Sequence, residues 1–362
     1  MFLGNTISSW IKKSDEERHV AKLIIDWRWG GRGGRLTREK PKRKYCRVFF
    51  ATDLHASEVV FRKFIATADF YQVDALIMGG DVTGKTIVPV VQSREGKYHL
   101  NFQGQEFQQV SEKELPSLEE RVKNAGLYPY RVSESEYETM RSDPKKISAL
   151  FDELMLERLN RWASLAEEHL RPLGVKCYWT GGNDDRQDIV DKIRGGDHFV
   201  NAEEKVLRLS EDHEMLSLGW SNPTPWKTPR ECSDEELGAK LEPITKQVEN
   251  PATCIFNLHA PPFDSSLDIA PKLDSTVDPP KPVISGGQQV LIPVGSTSVR
   301  GAIERMQPLL TLCGHIHETK NSMKIGRTMC INPGSEYPSG ILRGVIVNLV
   351  KDKVLSFQLT SG

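Results

Sequence analysis

No apolar run in this chain approaches the roughly 20 residues that a membrane-spanning helix needs, so no transmembrane segment is expected. Met1 to Trp10 lack the basic region, apolar stretch and cleavage site of a secretory signal. Cysteine is sparse: six residues, at positions 46, 177, 232, 254, 313 and 330, with no CxxC spacing. Several stand in apolar, strand-like contexts, as Cys254 does in CIFNLH and Cys313 in LLTLCGH, which reads as buried thiols in a reduced, cytoplasmic protein. Net charge is nearly absent at −1, with 38% hydrophobic and 27% charged residues, a globular rather than a disordered composition. Internal repeats are lacking. The 362 residues allow one large domain or two smaller ones.

What is present begins with an uneven charge distribution. Ile7 to Ile25 reads as a short amphipathic helix, and WRWGGRGGRLTREKPKRK follows. That stretch sets Arg28, Arg32, Arg35, Arg38, Lys40, Lys42, Arg43 and Lys44 against a single acid, Glu39, and its glycines oppose regular structure. Residues 1–45 are therefore expected to form a basic arm ahead of a folded domain at 46–362. Two roles stay open for residues 28–44: a solvated linker, or contact with an anionic partner such as nucleic acid, a lipid surface or another subunit.

From Tyr45 onward a shape repeats. CRVFFATDLH, ALIMGGDVTG, CYWTGGNDD, TCIFNLHAPP and LLTLCGHIH are each a short apolar or aromatic run that stops at Gly, Asp, Asn or His, as a buried strand does. Helical stretches lie between some of them: Val59 to Tyr71, with apolar residues at 60, 61, 64, 65 and 68; Lys146 to Leu170; and Ser298 to Arg305. Strands alternating with helices predict an α/β sheet protein, whose site lies beyond the carboxyl ends of the strands. The last part, from Met323 to Thr360, reads as a terminal β meander. Residues 85–145 interrupt the series. They are polar, with a hairpin expected near Lys97–Phe102 and helices near Ser111–Asn124 and Ser133–Arg141. This insertion is either a cap over the site or surface decoration.

Five strand ends deliver Asp53 and His55, then Asp81, Asn183, His259, and finally His315 and His317. Carboxylate, imidazole and amide oxygen together suit borderline divalent ions such as Mn, Fe, Zn or Co, whereas oxygens alone would suit Mg or Ca. The Asp-x-His and His-x-His spacings let two side chains reach one ion or straddle two. A lone histidine after a strand is usually structural, but five such ends in series point to a metal centre. Softer candidates are Asp184, Arg186, which could face a phosphate, and Arg343, which could do the same; each arginine could equally form a surface salt bridge.

ATDLH, GGDVTG, GGNDD, NLHAPP and CGHIHE together resemble the five signature blocks of calcineurin-like metallophosphoesterases, from about Val48 to Leu359. NLHAPPFDSSLD, GHIHE and INPGSEYPSGILRG are most similar to the bacterial and archaeal phosphohydrolase branch that resembles cyclic-nucleotide phosphodiesterases. The resemblance implies an αββα sandwich of two mixed sheets flanked by helices, and hydrolysis of a phosphate ester, monoester or diester, with two divalent transition-metal ions, manganese first among them. It implies one ion held by Asp53, His55, Asp81 and His317, and another by Asp81, Asn183, His259 and His315, with Asp81 shared. Two cations about 3.5–4 Å apart lower the pKa of a shared water and clamp the phosphoryl oxygens. The third block departs from the family's Gly-Asn-His-Asp/Glu pattern: Asp184 stands where that pattern has histidine, which leaves the general acid unassigned.

Two other functions fit parts of the chain. A non-catalytic scaffold of this architecture would be expected to lose ligands, and all seven positions are present here. A nuclease would use the basic arm, yet without the arm's excess of basic residues the remainder carries a net charge of about −8, which disfavours a long nucleic-acid footprint.

Overall fold

Alternate residues of the first apolar run face opposite ways, and that alternation sets the layers. The computed structural model describes residues 43–362 apart from Asp278; most of the basic arm and the helix expected at Ile7–Ile25 lie outside the described residues. In strand β1 (Cys46–Ala51), Val48 and Phe50 belong to one core and Phe49 and Ala51 to another. Strand β2 (Ala75–Gly79) repeats this, with Ala75 and Ile77 on the first side and Leu76 and Met78 on the second. A strand with apolar residues on both faces must be covered on both.

The further strands are β3 (Lys176–Thr180), β4 (Phe199–Asn201), β5 (Lys205–Arg208), β6 (Glu214–Leu218), β7 (Cys254–Leu258), β8 (Leu310–Leu312), β9 (Asn321–Ile325), β10 (Thr328–Asn332), β11 (Arg343–Val350) and β12 (Lys353–Ser361). One six-stranded sheet runs β12-β11-β1-β2-β3-β4 and a second runs β9-β10-β8-β7-β6-β5. Strands β1 to β4 are mutually parallel, as are β6, β7, β8 and β10, while β5, β9, β11 and β12 are antiparallel additions. Between the sheets lie Val48, Phe50 and Ile77 from one and Met215, Ile255 and Leu310 from the other. Helices α1 (Glu58–Phe70) and α2 (Pro144–Leu170) cover the outer face of the first sheet, where the Phe61 and Trp162 rings stack at 4.1 Å. Helices α3 (Asp234–Thr245) and α4 (Thr297–Met306) cover the second through Leu237, Leu241, Val299 and Ile303. The chain is thus an αββα sandwich, as expected. Among the described residues no helix is long and apolar enough to cross a membrane.

The helices forecast among the described residues are found with shifted ends, while helix α3 was not forecast. Helix α2 starts before Lys146 because Asp143 caps it, accepting from the backbone of Lys145 and Lys146 at 3.2 and 3.3 Å, and Pro144 fits the first turn. The terminal meander is not one unit. The β9–β10 hairpin joins the second sheet and the β11–β12 hairpin the first, with residues 333–342 carrying the chain across. The β11–β12 turn places Lys351 at φ +44°. The conformation strains a side chain and leaves glycine unstrained, so Lys351→Gly is expected to raise stability by up to about 1 kcal/mol. Chemical denaturation measures it, and an unchanged or lower midpoint would contradict it.

The segment from 85 onward folds on its own sheet. Strands Gln105–Val110, Tyr98–Phe102, Ile87–Gln92 and Tyr128–Ser133 lie in that order, and Val88, Val90, Leu100, Phe102, Leu115 and Val122 fill a separate core with helix Leu115–Asn124. Helix Glu134–Arg141 opens on a capping box of Ser133 and Glu136. Buried Arg158 of α2 ties the unit down: it donates to the Ala56 carbonyl at 2.6 Å and the Leu127 carbonyl at 3.1 Å, and meets Glu58 at 3.1 Å.

Candidate metal centre

The loops that leave the parallel strands β1, β2 and β8 at the carboxyl edge bend sharply. Asp53, His55, Ala56, Asp81 and His315 hold φ of +56°, +42°, +56°, +49° and +68°. Each such non-glycine residue costs on the order of 1–3 kcal/mol, and such strain gathers at functional sites. Backbone bonds lock the bends together: Asp53 donates to Gly80 at 3.0 Å, His55 to Asp81 at 2.8 Å, Ala56 to Val82 at 2.9 Å and Gly314 to His259 at 3.0 Å. Close approach demands two glycines here. A Cβ on Gly182 would lie 2.1 Å from Asp81 Oδ1, and one on Gly314 would lie 2.5 Å from Asp53 Oδ2.

The seven side chains expected to meet do meet. Ligand atoms of Asp53, His55, Asp81 and His317 all lie within 4.8 Å of one another, a group that could hold a metal ion. His317 Nε2 is 3.3 Å from Asp53 Oδ1 and 3.3 Å from His55 Nε2. Beside them the Asn183 Oδ1 atom sits 2.8 Å from His259 Nε2 and 2.6 Å from His315 Nδ1, and His259 Nε2 is 3.5 Å from Asp81 Oδ2. Asp81 thus adjoins both groups. Their orientation is fixed from behind: His259 Nδ1 meets the Gly79 carbonyl at 2.9 Å, which turns Nε2 inward, and Asn183 Nδ2 donates to Thr228 Oγ1 at 2.8 Å, which turns Oδ1 inward. His55 Nδ1 is buried with no hydrogen-bond partner. Buried imidazoles and carboxylates gathered this closely are costly by themselves and fit a bound cation.

Charge is divided sharply within the cluster. Burial opposes ionisation of Asp53, but His317 and then His259 together outweigh it and hold the carboxyl down at about 2. Burial also opposes a charged His259, yet Asp81 and then Asp53 push its imidazole up to about 10. Burial drives His55 down to about 3, and burial with the His259 charge drives His315 down to about 4. At neutral pH the ion-free cluster therefore keeps His259 protonated against two carboxylates, with His55 and His315 neutral. A cation binding there must displace the His259 proton and also that of His317, which Asp53 pushes up against burial, so affinity should rise with pH through the neutral range. Calorimetry at pH 7 in buffers of different ionisation enthalpy should show proton release; identical heats in all buffers would contradict it.

The softer candidates separate. Asp184 lies at the rim, with Oδ2 3.7 Å from His55 Nδ1 and 2.8 Å from Lys85 Nζ. Burial and Asp81 push its carboxyl up to about 6. Arg186 pairs with Asp152 at 2.5 Å and Asp188 at 2.7 Å, and Arg343 pairs with Glu336 at 2.8 Å; the partners found for both are acids. Sequence reasoning missed several supports. The buried Asp185 carboxylate accepts from the backbone of Val82, Thr83 and Gly182 and from the Thr83 hydroxyl. Asn332 Nδ2 donates to the carbonyls of Gly314 and Ile316 at 3.1 and 3.2 Å, on either side of His315. The Tyr337 ring packs 4.5 Å from that of His55.

No protein-family model matches the chain. An uncharacterized protein of Methanocaldococcus jannaschii, MJ1162, is 34% identical over 155 residues, which cover 42% of this chain and 61% of that relative's length. One solved crystal structure aligns with 87% of this chain and 98% of its own at a TM-score of 0.50 and 16% identity, a likeness of fold. A solved archaeal phosphodiesterase aligns over 87% of this chain and 99% of its own, at 12% identity and a TM-score of 0.30.

Proposed function

We propose that this chain is a calcineurin-like metallophosphoesterase that hydrolyses a phosphate ester with two divalent transition-metal ions. The carrying observation is the convergence of Asp53, His55, Asp81, Asn183, His259, His315 and His317 from five strand ends onto one buried cluster, with Asp53, His55, Asp81 and His315 held at positive φ. Asp53, His55, Asp81 and His317 would hold one ion, and Asp81, Asn183, His259 and His315 the other, with Asp81 shared. Ions bound there supply a water activated at neutral pH and offset the charge of the phosphoryl oxygens.

The chain's own groups do the rest. Gly79 and Thr228 aim His259 and Asn183, so these donors need no reorganisation when substrate arrives. Burial and Asp81 push the Asp184 carboxyl up to about 6 in the ion-free cluster, but cations bound beside it and its partner Lys85 would favour the ionised form, which has no proton to give a leaving oxygen. Esters whose leaving group departs unprotonated should therefore be the better substrates. The separately folded segment at 85–145 would act as the cap that borders the site, and residues 28–44 would contact an anionic partner or serve as a linker.

Metal-stripped protein is expected to be inactive on p-nitrophenyl phosphate and bis-p-nitrophenyl phosphate. Manganese should restore turnover better than magnesium, because imidazole donors favour the softer ion; Fe, Zn and Co also suit the donor set. Full metal occupancy with neither ester hydrolysed would defeat the proposal and leave the chain a metal-binding scaffold.

A further inference from the structure

We infer that Lys85 binds the non-bridging oxygens of the substrate phosphate, with Asp184 serving to position its ammonium; the inference rests on the phosphoesterase reading above. Lys85 follows Gly84, where the second ligand loop passes into the inserted sheet. The backbone there has almost no freedom. A Cβ on Gly84 would lie 2.1 Å from the Gly126 carbonyl, 2.8 Å from the Tyr128 ring and 3.1 Å from Ala56 Cβ. Gly84 donates to the Tyr128 hydroxyl at 3.0 Å, and Tyr128 donates to the Thr86 carbonyl at 3.1 Å. Lys85 is therefore pinned on both sides, four residues from Asp81, and its aliphatic stem projects over the rim of the cluster.

The ammonium at the end of that stem meets Asp184 Oδ2 at 2.8 Å, and the same oxygen lies 3.7 Å from His55 Nδ1. The charge thus stands one carboxylate away from a proposed ligand ring. The Lys85 side chain is 51% exposed and that of Asp184 is 17% exposed, so the pair closes the cluster on one side and opens to solvent on the other. An ammonium has three N–H donors, and Asp184 takes one. An uncompensated Asp184 at this rim would repel an anionic substrate. Lys85 cancels that repulsion and has donors left for phosphate oxygens. Charge-assisted bonds of this kind are the strong ones. Arg186 and Arg343 pair with Asp152, Asp188 and Glu336, whereas the acid that pairs with Lys85 itself lies 3.7 Å from the ring of His55.

The test is calorimetric titration of the full, metal-loaded chain with inorganic phosphate, together with metal analysis and KM for p-nitrophenyl phosphate. Lys85→Gln is expected to weaken phosphate binding by about tenfold or more and to raise KM in parallel, with metal content unchanged. Lys85→Arg should stay near the wild type. The double variant Lys85→Gln/Asp184→Asn should remain as weak as Lys85→Gln. Wild-type phosphate affinity in Lys85→Gln would overturn the inference. So would recovery in the double variant, since it would mean that Lys85 only neutralises Asp184. If the metal-loaded wild type neither binds phosphate nor hydrolyses either ester, the phosphoesterase reading fails first and this inference with it.

Discussion

Asp81→Asn is expected to lower kcat/KM on an aryl phosphate by at least about a thousandfold and to reduce bound metal below two ions per chain. Loss of supporting residues around a metal site typically costs about 10–100-fold, and a carboxylate shared between two ions should cost more. Asp81 is placed for sharing: its Oδ2 atom is 3.6 Å from His55 Nε2 in one group and 3.5 Å from His259 Nε2 in the other. The amide keeps the shape, and its oxygen can still accept from the Asp184 backbone, which meets Asp81 Oδ1 at 2.9 Å. The fold should therefore persist while the metals leave. Elemental analysis showing two ions in an Asp81→Asn protein of near-normal activity would refute the shared role.

The second large effect is on stability. Asp185→Ala is expected to destabilise the protein by about 3–5 kcal/mol and to lower its metal content as well. The Asp185 carboxylate accepts from the backbone of Val82 at 2.9 Å, Thr83 at 2.7 Å and Gly182 at 2.7 Å, and from Thr83 Oγ1 at 2.6 Å. Alanine would leave three buried N–H groups without an acceptor, at about 1–3 kcal/mol each before relaxation. The same bonds fix the spacing between the loop of Asp81 and the loop of Asn183, so metal retention should suffer beyond the loss of stability. Asp185→Asn should be milder, because its carbonyl oxygen can still accept. Thermal melting that leaves Asp185→Ala within 1 kcal/mol of wild type, judged by a reference of about 1.4 kcal/mol per tenfold change in equilibrium, would refute the clamp.

Much of the site was legible because chemistry and secondary structure change at the same residue. A parallel strand buried on both faces must be apolar, so Asp53, Asp81, Asn183, His259 and His315 stand out where each run stops. Helix α1 was legible for a similar reason, since Val60, Phe61, Phe64, Ile65 and Ala68 recur at helical spacing and are all buried. The supports were not legible. Asp185 is one acid among several in GGNDD, and only the fold shows that it, rather than Asp184, points inward to four donors. Lys85 reaches Asp184 across 99 positions of sequence, and no local pattern signals that meeting. Residues 269–293 form three pairs of very short strands, Ile269–Pro271 with Leu291–Pro293 among them, too brief and too rich in proline, glycine and glutamine to show a period. The terminal hairpins were legible as strands, but their assignment to different sheets depends on packing and not on alternation.

The seam between the two sheets has a bearing on how the protein unfolds. Asp53, Asp81 and Asn183 follow strands of one sheet, and His259, His315 and His317 follow strands of the other. Any ion held by this set is a cross-link between layers that otherwise adhere through apolar contacts such as Phe50 and Ile255. Neither sheet alone can assemble a complete set of donors, so cation affinity appears only once the layers have docked. A ligand that binds the docked state alone stabilises it by about 2.7 kcal/mol at a hundred times its dissociation constant. Chelation should therefore loosen the sandwich along this seam before it disturbs either sheet, and amide exchange should quicken first in β7 and β8, whose carboxyl ends carry the histidines.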